Sequence, residues 1–103
     1  MVKPTEYEIE KVLVLSTGHI TLEDSHRLDL EDRANVIVYA YEYGWYIWVG
    51  SNETFTDQLL GARAEGFSAA FCNLLTLAHS RGCCYLKLDC DGPLREDLPH
   101  FDW

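Results

Sequence analysis

The stretch from Ser68 to Gly82 constrains this chain more than any other. Phe71, Leu74, Leu75 and Ala78 recur at i, i+3, i+4 and i+7 behind a serine, and His79 and Arg81 come just before a glycine. That spacing predicts a helix with a single apolar stripe, capped by the Ser68 hydroxyl and stopped by Gly82 at C′. The basic residues suit the negative end of its dipole. A helix with one apolar stripe needs a second layer to cover it. The rest of the chain offers strands for that layer.

Tyr7 to Ser16 alternates at first and then runs apolar through Val12-Leu13-Val14-Leu15, which predicts a strand entering the core. Val36 to Tyr41 is dominated by β-branched and aromatic residues, as is Trp45 to Val49. Tyr43-Gly44 reads as the tight turn between them. Cys83 to Asp89 reads as the last strand. Between the first two strands, Thr21 is placed to cap a short helix. Asp24 stands at the third position of a capping box, and Ile20 is a staple residue. Thr56 to Glu65 has room for a further short helix, interrupted by Gly61 and closed by Gly66.

The main order is β-α-β-β-α-β. It predicts an α+β fold, a single-layer and mostly antiparallel sheet with helices on one face. The best match is the split β-α-β arrangement of ferredoxin-like sandwiches, with other strand orders left open. At 103 residues the chain holds one domain, residues 1–103. Pro93 and Pro99 mark an irregular tail, and the closing Phe101-Asp102-Trp103 is expected to dock on the body, where its rings leave water.

Seventeen acidic against eight basic residues give a net charge of −9. With 48 % hydrophobic residues this is no disordered acidic tail. The missing basic footprint argues against direct binding of nucleic acid and against an anionic membrane surface. The first residues contain no apolar signal region, and no apolar run approaches the ~20 residues of a membrane helix. The expected compartment is the cytoplasm, where Cys72, Cys83, Cys84 and Cys90 stay reduced. Their C-x10-C-C-x5-C spacing, with His79 between, matches no standard zinc pattern. They read as small buried hydrophobes, and no metal or cofactor is expected.

Catalytic motifs are few. Leu86 to Gly92 ends an apolar strand in D-x-D-G, like the aspartate nucleophile motif of haloacid-dehalogenase-type phosphatases. Only 11 residues follow Gly92, too few for the domain which that motif opens. A calcium loop places its glycine later. Ser16-Thr17-Gly18-His19 puts hydroxyls beside a histidine at a strand end, but no G-x-S-x-G elbow, P-loop or H-E-x-x-H accompanies it. No catalytic residue is assigned.

Two features point to binding instead. Tyr39, Tyr41, Tyr43, Trp45, Tyr46 and Trp48 fall within ten positions, with Glu42 as the hairpin's one charged residue. Single-stranded nucleic acid stacks on such aromatics only with Lys or Arg interleaved. That leaves a hairpin with one face under the helices and tyrosines on the other, or a protein-binding surface. Acidic residues also cluster: Glu6, Glu8 and Glu10 alternate, Glu23, Asp24, Asp29, Glu31 and Asp32 crowd the first helix region, and Asp89, Asp91, Glu96, Asp97 and Asp102 crowd the end. Such charge serves solubility, or mimics nucleic acid in a basic groove.

Leu15-Ser16-Thr17-Gly18-His19-Ile20-Thr21, Tyr39 to Gly44, Glu65 to Phe71 and Tyr85 to Gly92, together with the closing Leu98-Pro99-His100-Phe101-Asp102-Trp103, resemble an uncharacterised family of small acidic proteins from phages, plasmids and integrative elements of proteobacteria. The resemblance spans nearly the whole chain and is most specific at the F-D-W ending. It implies a mobile-element setting, where small acidic proteins often inhibit host defences. The expectation is a non-enzymatic inhibitor, of anti-CRISPR or antirestriction type, of a host protein or ribonucleoprotein complex with a basic groove. Its partner-binding residues are Glu23, Asp24, Asp29, Glu31 and Asp32, with Tyr41 and Tyr43 as anchors. The alternatives are a small metal-dependent enzyme using Asp89 and Asp91, with His19, and a homodimeric structural protein joined through the hairpin.

Overall fold

A computed structural model describes residues 7–30 and 36–103. Four strands, β1 (Val12–Ser16), β2 (Val38–Tyr41), β3 (Gly44–Trp48) and β4 (Tyr85–Asp89), form one mixed sheet. Three helices, α1 (Leu22–Leu28), α2 (Phe55–Ala64) and α3 (Ala69–Ser80), complete an α+β domain.

The strand order is β1-β4-β3-β2. β4 runs parallel to β1 and antiparallel to β3, and β3 runs antiparallel to β2. A ferredoxin-like sheet keeps its first strand inside, between the last and the third; here β1 is an edge and β4 is inside. The leucines account for the exchange: Leu86 and Leu88 of β4 are fully buried at the sheet centre, while Leu13 of β1 is only half-buried. The first strand is also shorter than expected. β4 begins opposite Val12, with the Lys11 carbonyl still accepting from the Cys84 amide, so residues 7–10 have no strand to pair with among the described residues, and Tyr7 and Ile9 are each 83 % exposed.

Alternation sorts the side chains. Leu15, Trp45, Ile47, Leu86, Leu88 and Val38 point to the face that the helices cover. Against them α3 sets Phe71, Leu74, Leu75 and Ala78, all buried. Each of the three large side chains stabilises the fold by about 1.5–3 kcal/mol. Ser68 accepts from the Phe71 amide and Gly82 follows the helix at φ 72°, as the spacing predicted. Gly61 does not interrupt α2, which runs through it; Phe55 of α2 stacks on His79 of α3 with ring centres 4.0 Å apart.

The hairpin turn falls on Glu42-Tyr43, one residue earlier than Tyr43-Gly44. Gly44 is needed for another reason. A Cβ there would lie 1.8 Å from the Leu88 carbonyl oxygen, so only glycine lets β3 approach β4 at this end.

Asp24 closes the junction between α1 and α3. Its carboxylate accepts from the Thr21 amide (3.1 Å), the Ser68 amide (2.9 Å) and the Ser68 hydroxyl (2.5 Å). Thr21 in turn accepts from the Asp24 amide, completing the capping box. The tail docks on the body through hydrogen bonds, but Trp103 stays 52 % exposed, so the expectation that both rings leave water holds only in part. Fully buried His19 accepts at Nε2 from the Arg95 amide and so donates from Nδ1 to the Pro99 carbonyl. The Phe101 amide donates to Gly18 and the Trp103 indole to Ile20.

Candidate binding surface

The other sheet face carries Val12, Val14, Tyr39, Tyr41, Tyr46, Trp48, Tyr85, Lys87 and Asp89, by the same alternation. The apolar residues that the three helices do bury lie on the opposite side. Val12, Val14 and Tyr39 are exposed, Tyr39 by 57 %. Four tyrosines from three strands form a connected ring system. Tyr39 and Tyr46 meet Tyr85 edge-on at 6.5 and 6.4 Å, and Tyr41 lies 5.3 Å from Tyr46. The Lys87 ammonium sits 5.5 Å and 5.3 Å from the centres of Tyr41 and Tyr46. Rings locked against one another lose little further freedom when a partner covers them.

At the hairpin end of this face the Tyr41 hydroxyl donates to Asp89, whose other oxygen accepts from the Asp91 amide at 2.7 Å. These two bonds hold the Asp89 carboxyl below its usual range, the tyrosine's first. Partial burial, and then the Asp89 carboxylate, push the Tyr41 phenol well up. Burial also raises Tyr85, with the Glu10 carboxylate adding to it. A depressed carboxyl contributes stability above its ordinary value, near pH 4, and loses it as pH falls through the depressed value. Tyr41→Phe is therefore expected to raise the Asp89 midpoint in a carbon-detected NMR titration. Its stability deficit against the parent should be present at neutral pH and vanish in acid.

The structure scatters the acidic residues picked from the sequence. Asp24 is 1 % exposed and its oxygens are taken by Thr21 and Ser68, so it is a junction residue and not a surface one. Glu23 is exposed on α1, and Asp29, exposed at the C-cap of α1, accepts from the Trp45 indole at 3.0 Å. Glu31 and Asp32 lie outside the described residues. Tyr43 is half exposed at the turn, where it meets Tyr41 edge-on. Tyr85 and Lys87 were not singled out from the sequence, because they come from a strand far along the chain. Their alternation with Leu86 and Leu88 carried the signal: two leucines turned inward oblige Tyr85, Lys87 and Asp89 to share the outer face.

Asp89, Cys90 and Asp91 offer ligand atoms within 4.8 Å of one another. Two exposed groups of this set and the satisfied Asp89 describe a strand-exit turn, and buried His19 is not part of it. The described cysteines are all free thiols, Cys72 raised by its burial. No helix among the described residues is long and apolar enough to cross a membrane.

No curated protein and no solved structure matches this chain. A family profile does, over residues 12–103, which takes in every strand and helix among the described residues, the tyrosine face and the docked tail. The chain thus belongs to a family of unknown function, DUF5983, and corresponds to its C-terminal domain.

Proposed function

We propose that this domain is a non-enzymatic protein-binding module whose contact surface is the tyrosine face of the sheet. The observation that carries the reading is that Tyr39, Tyr41, Tyr46 and Tyr85 are assembled from three strands into one ring system on the face opposite the helices. Tyrosine supplies large, rigid contact area with a polar edge, the composition of interface hot spots. An aromatic patch of this extent on a soluble domain marks an interaction site.

The excess of acidic residues suits a basic partner, with the charges steering the encounter and the tyrosines holding the complex. In the mobile-element setting that the sequence resemblance implies, that partner is a host complex that handles nucleic acid, and binding inhibits it. Tagged parent protein is expected to retain such a complex from host lysate at low salt. A Tyr39→Thr/Tyr85→Thr variant, which keeps strand-compatible residues, is expected to lose at least about tenfold of that binding while staying folded. Equal capture by the variant would sink the reading.

A further inference from the structure

We infer that the cleft at the hairpin end is a binding pocket for a guanidinium group, the side chain of an arginine in a basic polypeptide. The inference rests on the protein-binding reading above and adds a specificity to it. The cleft has a volume of about 330 Å³ and lies beside the tyrosine face, between the β2–β3 turn, the C-terminal end of α1 and the docked tail. Tyr41, Tyr43, Trp45 and Trp103 line it together with Asp29 and Glu42, and among the described residues no lysine, arginine or histidine does.

Aromatic walls with carboxylates are the chemistry that takes an organic cation. Guanidinium fits it better than ammonium. It is planar, stacks on indole, gives up hydration readily and presents a fork of donors to carboxylates. The walls are also fixed beforehand. The Trp45 indole donates to Asp29 at 3.0 Å and the Trp103 indole donates to the Ile20 carbonyl at 2.8 Å, so both rings are held by their N–H groups. A ligand that stacks there pays little to order them. The docked tail thereby acquires a role beyond stability, since it supplies one of the walls.

The test is an NMR titration of the intact protein with N-acetylarginine amide, read at the tryptophan indole signals. N-acetylcitrulline amide, its neutral isostere, is the control. The arginine compound is expected to bind with about millimolar affinity and to shift the Trp45 and Trp103 signals. Citrulline, Asp29→Asn and Trp103→Leu should each weaken binding at least about fivefold. The Tyr39→Thr/Tyr85→Thr variant should bind the arginine compound as the parent does, which keeps a failure of the pocket separate from a failure of the sheet-face reading. Shifts of equal size with citrulline, or none at the two indoles, would overturn the inference.

Discussion

Replacing Asp24 by alanine is expected to remove about 4 kcal/mol of stability and to lower the melting temperature by roughly 15–30 °C. The carboxylate receives three donors: two backbone amides and the Ser68 hydroxyl. Without it, these donors face a site that is 1 % exposed, where water does not replace the lost acceptor. Ser68 is also the N-cap of α3, so the loss reaches the helix whose apolar stripe makes the centre of the core. A domain of this size has about 5–15 kcal/mol in all, so the loss takes from about a quarter to most of it. Asp24→Asn keeps the shape and one acceptor and should fall between the two. Chemical denaturation followed by tryptophan fluorescence measures both. A loss below about 1 kcal/mol for the alanine variant would show that the junction is not made as described.

Gly44→Ala is the second large effect, expected at about 3 kcal/mol. The added methyl would meet the Leu88 carbonyl oxygen at 1.8 Å and its carbon at 2.8 Å, and both are backbone atoms of the central strand. A side chain could rotate out of the way; a paired strand cannot. The end of β3 must lift from β4, and the Gly44–Asp89 pairing opens. That pairing also positions Tyr41 over Asp89 and the turn beside the cleft, so arginine binding should fall together with stability. Hydrogen exchange should show the loss of protection concentrated at Cys90, whose amide donates to the Tyr43 carbonyl. Unchanged exchange there would contradict the close approach.

Local chemistry made much of this fold legible. The Ser68 cap, the apolar stripe of α3 and the Gly82 stop are each written within a few residues, and so is the Thr21–Asp24 capping box. Strand order is a different kind of fact. Whether β1 or β4 takes the inside depends on how Leu86 and Leu88 pack against helices that come from elsewhere in the chain, which no local pattern states. Gly44 misled for the same reason, since it looks like a turn glycine and answers to a strand 44 residues away. At the candidate site, the hairpin tyrosines were visible as a run, but Tyr85 joins them only through the sheet. Asp24 shows the limit of reading charge from sequence. The residue that caps its own helix also reaches Ser68, and this second partner removes it from the surface.

The central claim is that the tyrosine face, and not the acidic residues of α1, holds the partner. The most direct test compares dissociation constants for the captured partner between the parent, Tyr39→Thr/Tyr85→Thr and Glu23→Lys, each at low and high salt. The account predicts that the tyrosine variant loses binding at both salts through faster dissociation, while the charge variant binds more slowly at low salt and matches the parent at high salt. A charge variant that loses the partner at both salts, beside a tyrosine variant that keeps it, would contradict the account.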